Sequence, residues 1–265
     1  MMTKNCIVAG VDAGSTAVKV TLYDGVRFQN WLEPTSWNPR EAAAALLTRA
    51  AADWDIESEK IRRVYGTGYG RTNMPFLTKA ITEITCHAKG AWYLYPGVQT
   101  VIDIGGQDAK AIRVDSSGRV LDFIMNDKCA AGTGRFLQVM ANALGLDVAE
   151  LANSATEDGD SCQINSMCAV FAESEVIGLL NQGVSRAAIV AGLYKSIAAR
   201  IATMAASIEP AMPLVLTGGV SFHEPLRLAL ERELKMVVIV PPQAVFAGAI
   251  GAALYAWDNL QKEEI

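Results

Sequence analysis

Short apolar runs separated by turn residues fill the start of the chain and predict a β-meander followed by helices. Three such runs come first, at Cys6–Val11, Val18–Tyr23 and Arg27–Trp31. The Asp24-Gly25 pair before the third run is a strong hairpin signal. Asn38, as an N-cap before Pro39, starts an alanine-rich helix. The first part of the chain is completed by a strand and a helix, near Arg63–Gly66 and over Glu83–Leu94.

The same order of elements then begins again. The predicted strands of this second part are Thr100–Ile104, Ala109–Val114, Val120–Met125, Leu214–Leu216 and Val237–Val240, and its helices are Gly134–Leu144, Ala172–Asn181, Ser185–Ile208 and Glu224–Leu234. Asp12 and Asp103 hold equivalent places, 91 residues apart, at the ends of the two opening strands. The repeat predicts two similar α/β halves, residues 1–98 and 99–265, facing each other across a cleft. The closing helix, predicted over residues 243–260, is expected to pack back on the first half.

One uncharged stretch, Met236–Trp257, calls for a membrane test. Pro241 and Pro242 interrupt it after five residues, which favours a strand followed by a buried helix. The chain has 265 residues, 51% hydrophobic and 19% charged, as expected for a globular protein. Its net charge of −5 argues against nucleic-acid and anionic membrane partners. Because its five cysteines are an odd set without a disulfide framework, we expect a cytoplasmic protein with reduced thiols.

Three glycine turns follow apolar strands, and each can wrap a phosphate group because glycine lets backbone N–H groups approach closely. The candidate nucleotide-binding residues are Ala13, Gly14, Ser15, Thr16 and Lys19 at the first turn, Gly105, Gly106 and Gln107 at the second, and Gly218 and Gly219 at the third. Asp12 and Asp103 are the candidate catalytic carboxylates, one to organise Mg²⁺ through water and the other to orient the attacking water. The sequence contains neither a Walker loop nor G-x-G-x-x-G, which disfavours P-loop and Rossmann chemistry.

Two cysteines each stand just before a predicted helix. Helix N-termini favour anions, so Cys129 and Cys168 are in places that suit a metal-bound thiolate. They lie 39 residues apart with no C-x-x-C, which disfavours a local zinc knuckle. A [4Fe–4S] cluster needs about four thiolates, which two chains could share across a two-fold axis. On spacing alone, buried and inert cysteines are the better interpretation.

The glycine turns carry a wider resemblance. GVDAGST, VIDIGGQDAK and TGGVS resemble the two phosphate motifs and the adenosine motif of the superfamily that unites acetate kinase, sugar kinases, heat-shock chaperones and actin. This resemblance implies a duplicated ribonuclease-H-like α/β fold that binds ATP or ADP between its halves.

Longer motifs resemble one family within that superfamily. MNDKCAAGTGRF, CAVFAESEVIGLL, TGYGR, EITCHAKGA and GAIGAALYA closely resemble the activator ATPases of 2-hydroxyacyl-CoA dehydratases, whose relatives serve benzoyl-CoA reductases. In that family the cysteines that match Cys129 and Cys168 bind one [4Fe–4S] cluster at the homodimer interface. We expect three residues of the first motif to contact nucleotide: Gly132, Thr133 and Gly134.

One position departs from the family pattern. Related activators tend to carry glutamine directly before the aromatic residue of the closing-helix motif, where this chain has Val245 before Phe246. Gln243 lies two residues earlier and is the candidate for the adenosine contact.

The resemblance implies an ATP-driven electron donor. Reduced ferredoxin or flavodoxin would reduce the cluster of the homodimer, and ATP binding and hydrolysis would change the angle between the helices beside it. One low-potential electron would then pass to a 2-hydroxyacyl-CoA dehydratase or a related double-cluster reductase. We expect the segments Ala130–Leu144 and Ala169–Asn181 to couple the nucleotide state to the cluster.

Two other functions compete with electron donation. The first is a sugar or carboxylate kinase of the same superfamily with Asp103 as base, although the chain has no dedicated sugar-binding segment between its motifs. The second is a non-enzymatic redox sensor, which the intact phosphate turns disfavour.

Overall fold

A computed structural model describes residues 6–127, 129–154, 161–165 and 168–263. The strands are β1 (Ile7–Ala13), β2 (Ala17–Tyr23), β3 (Phe28–Pro34), β4 (Ile61–Thr67), β5 (Lys79–Ala80), β6 (Thr100–Ile104), β7 (Ala109–Val114), β8 (Val120–Asn126), β9 (Leu214–Thr217) and β10 (Val238–Ile239). The α-helices are α1 (Pro39–Asp53), α2 (Glu83–Leu94), α3 (Gly134–Ala143), α4 (Val148–Asn153), α5 (Ala169–Asn181), α6 (Arg186–Ala206), α7 (Glu224–Leu234) and α8 (Ala247–Glu263).

Two five-stranded sheets repeat one topology. The first has the order β3-β2-β1-β4-β5, and the second has the order β8-β7-β6-β9-β10, so each strand has a counterpart in the other sheet. In each sheet the opening strand pairs antiparallel with the second strand and parallel with the fourth. Parallel pairing requires a crossover, and helices supply it in both sheets. The predicted duplicated α/β fold is therefore confirmed.

The chain divides into two compact units. The first comprises residues 1–98, 114–121 and 241–265, and the second comprises residues 99–113 and 122–240. These units differ from the predicted halves in the assignment of 114–121 and 241–265. The hairpin tip belongs to the first unit because Trp92 Nε1 donates to Ser116 O at 3.0 Å and the Trp92 ring lies against Gly118.

Side-chain caps explain where several helices begin. The side chain of Asn38 accepts from Glu41 N before α1, as predicted, and Thr82 and Ser185 cap α2 and α6 in the same way. Helix α4 was not predicted from the sequence. Its start is marked by a capping box in which Asp147 and its N3 glutamate bond reciprocally to backbone N–H groups.

The closing helix begins later than the sequence predicts. Gln243, the predicted first residue, has a left-handed φ of 65°, and Ala244–Phe246 forms a single 3₁₀ turn before α8 starts at Ala247. A residue in that conformation does not continue an α-helix. The predicted range of 243–260 is therefore wrong at its start, and the helix ends at Glu263.

Small residues bring α8 very close to the first sheet and to α2. A Cβ on Gly10 of β1 would overlap the carbonyl O of Ala249, and one on Gly90 of α2 would overlap that of Ala247. The backbone of α8 therefore lies directly against strand and helix backbones. Substituting these glycines would force the elements apart.

Helix α6 runs through the core of the second unit. It is the one described helix that is long and apolar enough to cross a bilayer, by length and composition only. Its buried residues, among them Leu193, Ile197 and Ile201, pack in the apolar cluster that also contains Ile102 of β6 and Phe136 of α3. The uncharged stretch Met236–Trp257 contains β10 and most of α8.

Candidate active site

The first of the three predicted phosphate turns, residues 14–16, connects β1 to β2, and the carboxylate of Asp12 lies at the end of β1. Asp12 is buried and lies opposite Lys19 in the antiparallel ladder, and Lys19 Nζ donates to Asp12 Oδ2 at 3.2 Å. Thr35 fastens the turn, because its N–H donates to Thr16 O at 2.9 Å and its hydroxyl to Gly14 O at 2.7 Å. The positive charge predicted beside this turn is therefore paired with the predicted catalytic carboxylate.

The turn itself is open to solvent. Ala13 is buried as the last residue of β1, Gly14 and Ser15 are partly exposed, and Thr16 is exposed. Two hydroxyls and the turn's N–H groups thus stand beside a buried carboxylate–ammonium pair. This arrangement can receive an anion such as a phosphate.

The segment after β4 covers the same carboxylate. Gly68 has a φ of 90°, and a Cβ there would stand 2.6 Å from both Asp12 Oδ1 and Ala13 O. Gly70 N donates to Ala13 O at 3.0 Å, and an Arg71 guanidinium N–H donates to Gly68 O at 2.9 Å. The TGYGR motif therefore holds the end of β1 in place.

A histidine and the closing helix approach Asp12 from another side. A Cβ on Gly248 of α8 would stand 2.9 Å from His87 Nε2 and 3.1 Å from Asp12 Oδ2. His87 is buried on α2. The sequence motif EITCHAKGA pointed to this helix, but sequence reasoning did not place its imidazole beside the first phosphate turn.

The second phosphate turn has a more deeply buried ion pair. Lys110 of β7 is 1% exposed, and its Nζ lies 3.2 Å from Asp103 Oδ2 and 2.9 Å from Asp108 Oδ2. The Thr217 hydroxyl donates to Asp103 Oδ1 at 3.0 Å. Both carboxylate oxygens of Asp103 are thus engaged, one by a cation and the other by a hydroxyl.

Lys110 is a site residue that sequence reasoning missed, although the sequence carried a signal for it. Lys19 and Lys110 lie 91 residues apart, the same spacing that separates Asp12 from Asp103. In both sheets the lysine is the antiparallel partner of the aspartate. Extending the repeat by one strand would have identified this residue.

A glycine of the third turn lies against Asp103, as Gly68 and Gly248 lie against Asp12. Gly218 has a φ of 93°, and a Cβ there would stand 2.8 Å from Asp103 Oδ1. Gly219 faces open space, while Gly105 N donates to Asp108 O at 2.9 Å within the second turn. Gln107 at the tip of that turn is exposed. The second and third predicted turns therefore converge on one carboxylate.

The start of α3 is hydrogen-bonded to the second turn. Gly134 N donates to Gly105 O at 2.9 Å, and Arg135 N donates to Gly106 O at 2.8 Å. Thr133 is buried just before the helix, and its hydroxyl donates to Ala130 O at 2.6 Å. Gly132 precedes it with a φ of 83°. Gly132, Thr133 and Gly134 thus belong to the same local structure as the second turn.

The two candidate cluster cysteines flank helix starts. Cys168 is exposed and is the N-cap residue of α5, while Cys129 is partly exposed and lies in the loop before α3. Helices α3 and α5 pack against each other. Within the described ranges, no group of three or more His, Cys, Asp or Glu residues could hold a metal ion. Lys128 of the first cysteine motif lies outside those ranges, as do Ser166 and Met167 just before Cys168.

Gln243, the predicted adenosine contact at the start of the closing helix, belongs to a different unit from the glycines of the third turn. It lies in the first unit, and its Oε1 accepts from Asn30 Nδ2 at 3.0 Å. Gly218 and Gly219 belong to the second unit. The role of Gln243 in adenosine binding stays a prediction.

Burial shifts the pKa of one further cysteine and of one further histidine. Cys86 is buried on α2, and desolvation raises the pKa of its thiol to about 12. His223 is partly buried, which lowers its pKa, and its Nδ1 lies 2.9 Å from the Tyr194 hydroxyl.

Comparison with known proteins identifies relatives over nearly the whole chain. The model of the BadF/BadG/BcrA/BcrD ATPase family matches residues 9–256. The activator of lactoyl-CoA dehydratase from Anaerotignum propionicum is 43% identical over 255 residues, which cover 96% of this chain and 98% of that protein.

Two solved structures have closely similar folds. Component A of (R)-2-hydroxyglutaryl-CoA dehydratase from Acidaminococcus fermentans is 39% identical with a TM-score of 0.92, over 97% of this chain and 99% of that one. The activator of 2-hydroxyisocaproyl-CoA dehydratase from Clostridium difficile, solved with bound ADPNP, is 38% identical with a TM-score of 0.90 over 97% of each chain. Both similarities therefore extend over nearly the whole chain.

Proposed function

The chain belongs to the BadF/BadG/BcrA/BcrD ATPase family and is an ATP-binding ATPase, and from this premise we propose that it is an ATP-driven, single-electron donor. The observation that carries the proposal is the pair of backbone hydrogen bonds from the start of α3 to Gly105 and Gly106. These bonds join the second phosphate turn to a helix that follows directly after the Cys129 loop. A change at bound phosphate can therefore reach a cysteine through a short, continuous stretch of backbone.

We propose that Asp12 and Asp103 are the catalytic carboxylates. Each is buried at a strand end and held by a lysine, so its oxygens are fixed acceptors for water. One carboxylate would hold Mg²⁺ through water, and the other would orient the attacking water. Phosphate groups would bind at the first two turns and adenosine at Gly218–Gly219.

Cys129 and Cys168 fit one half of a [4Fe–4S] site. Two accessible thiols per chain, each beside a helix start, supply half of the four thiolates that such a cluster needs. A homodimer would supply all four across its two-fold axis. When bound, the cluster would hold one electron at low potential, and the helices after each cysteine would set its exposure.

The partner is inferred from what similar proteins activate. The lactoyl-CoA and 2-hydroxyisocaproyl-CoA dehydratase activators are named for dehydratases, and a component of the benzoyl-CoA reductase of Thauera aromatica is 34% identical. We propose a 2-hydroxyacyl-CoA dehydratase or a related double-cluster reductase as acceptor, in the cytoplasm. Reduced ferredoxin or flavodoxin would supply the electron.

The environment of Asp103 argues against the kinase alternative. A general base in a kinase must accept a proton from the substrate hydroxyl. Here Lys110 Nζ lies 3.2 Å from one oxygen of that carboxylate, and the Thr217 hydroxyl donates to the other. Both oxygens of Asp103 are therefore already engaged, which suits a fixed acceptor better than a base that takes up a proton.

The deciding experiment measures iron and acid-labile sulfide per chain in anaerobically purified protein. We expect about two irons per chain, which is one four-iron cluster per dimer, and their loss in Cys129→Ser and in Cys168→Ser. Cys162→Ser, a partly exposed cysteine of the same unit, is the matched control and should keep its iron. Iron-free protein with full ATPase activity would refute the proposal and direct attention to kinase substrates.

A further inference from the structure

The side chain of Asn126 forms hydrogen bonds with the loop that carries Cys129. It is the last residue of β8 and is partly buried. Its side-chain Nδ2 donates to two carbonyl groups, Cys129 O at 2.9 Å and Ala131 O at 3.2 Å. One amide thus holds the loop on both sides of Ala130, using both of its N–H groups.

The same loop is fastened at its other end to the second phosphate turn. Thr133 donates to Ala130 O through its N–H at 3.1 Å and through its hydroxyl at 2.6 Å. The next residue, Gly134, donates to Gly105 O at 2.9 Å. Hydrogen bonds joined by short stretches of covalent backbone therefore connect the turn at Gly105 with the backbone of Cys129.

We infer that Asn126 is a positioning residue that couples the state of the second phosphate turn to the accessibility of Cys129. The inference rests on the proposed function, because it assumes that nucleotide phosphate is bound at that turn. A ligand shifts such an equilibrium only if it contacts the two states differently. A phosphate that draws the turn's N–H groups towards itself moves Gly105 O, and with it the start of α3. With the Asn126 hydrogen bonds in place, Cys129 and Ala131 must move together.

The side-chain chemistry supplies a sharp variant. Aspartate has the size of asparagine but no N–H groups, so Asn126→Asp would set a carboxylate oxygen against the carbonyl oxygens of Cys129 and Ala131. The loop would separate from β8 while the phosphate turn stays intact. Asn126→Ala removes the same donors without adding a charge, and Asn142→Asp places the same charge on the exposed face of α3 as a control.

The experiment uses iron-free full-length protein and the alkylation of Cys129 by N-ethylmaleimide, measured by peptide mass spectrometry. The rate is compared between ADP and ADPNP. For the wild type and Asn142→Asp we expect rates that differ at least about fivefold, the lower end of typical coupling between sites. For Asn126→Asp and Asn126→Ala we expect faster alkylation and a ratio near one. All four proteins should still bind ADPNP, which excludes loss of nucleotide as the cause of a ratio near one.

Two outcomes would overturn the inference: a ratio near one in the wild type, or an unchanged ratio in both Asn126 variants. Thermal denaturation of each protein verifies that the fold is retained, and the alanine variant decides if the aspartate variant unfolds. Because alkylation is measured without iron, its result is independent of the cluster. Absence of iron from anaerobically purified protein would refute electron donation but not the role of Asn126. An unchanged ratio of the alkylation rates with ADP and ADPNP in the Asn126 variants would refute the role of Asn126 but not electron donation.

Discussion

Replacing Lys110 with methionine is expected to destabilise the second unit strongly. The ammonium group is 1% exposed and lies within 3.2 Å of two carboxylates. Removing one partner of a buried ion pair leaves an uncompensated charge and costs about 3–5 kcal/mol. Methionine fills a similar volume, so the loss arises mainly from the charge left on Asp103. That is a large fraction of a typical unfolding free energy of about 5–15 kcal/mol.

A second substitution separates this electrostatic reason from a packing defect. In the double variant Lys110→Met, Asp103→Asn no buried carboxylate remains at position 103, and the amide oxygen can still accept from Thr217. Asp108 is 24% exposed at its side chain and can be hydrated. Because replacing both members of a buried pair with neutral groups is often nearly neutral, the double variant should recover most of the lost free energy.

The assay can distinguish the two units. All five tryptophans lie in the first unit: Trp31, Trp37, Trp54, Trp92 and Trp257. Among the described helices, α1, α2 and α8 lie in the first unit and α3–α7 in the second, so far-ultraviolet circular dichroism reports on both units, while tryptophan fluorescence reports on the first alone. Urea denaturation followed by both signals gives the free energies of unfolding. Lys19→Met is the matched control, because Lys19 is the less buried equivalent of Lys110 in the first sheet, and it should lower the free energy of unfolding by less.

Two results would refute this reasoning. If the double variant were as unstable as Lys110→Met alone, the loss would come from packing and not from unbalanced charge. If Lys110→Met cost under about 1 kcal/mol, the pair would behave like a solvated surface ion pair, contrary to its burial.

Three further predictions follow from local geometry. Gly90→Ala should lower the free energy of unfolding, measured by urea denaturation, by about 1–3 kcal/mol because its Cβ would overlap a carbonyl of α8. Gly178→Ala, at a position of α5 that faces open space, should raise that free energy by about 0.5–1 kcal/mol. Burial lowers the pKa of His223, so the unfolded chain binds the proton more readily. Stability should therefore fall as the pH drops below about 6.5, and His223→Gln should reduce that slope between pH 7.5 and 5.5. Maleimide should alkylate exposed Cys168 in the folded protein and leave Cys86, with its pKa of about 12, unmodified until urea is added; equal rates in mass spectrometry would contradict this burial.

The sequence predicted the fold largely because its local signals agree with one another. Turn residues bound β1, β2 and β3 closely, and α2 and α7 begin and end at the predicted residues. The repeat of Asp12 at Asp103 predicted the duplication that the two sheet orders confirm. Local signals failed at Gln243, where a left-handed residue interrupts an otherwise helical composition. Nothing in the composition of that segment distinguishes a continuous helix from a 3₁₀ turn and a later start.

Contacts between distant segments were less predictable. Gly248 and His87 are separated by most of the chain, and their approach to Asp12 depends on how α8 packs against α2. The double hydrogen bond of Asn126 depends on the loop conformation after β8. Periodicity detects which residues are buried, but it does not determine which polar atoms then meet.

The duplication places the two carboxylates alike, but the lysines that pair with them differ in burial. Lys19 has its side chain 12% exposed and pairs with Asp12, so it stands where an incoming anion can compete for it. Lys110 is enclosed and is shared by Asp103 and Asp108. On the proposed function, phosphate bound at the first turn would compete with Asp12 for Lys19, while the second turn would keep its ion pairs. A turn whose ion pairs stay fixed can transmit displacement through its backbone, and the second turn is the one hydrogen-bonded to α3 and, through that helix start, to the Cys129 loop.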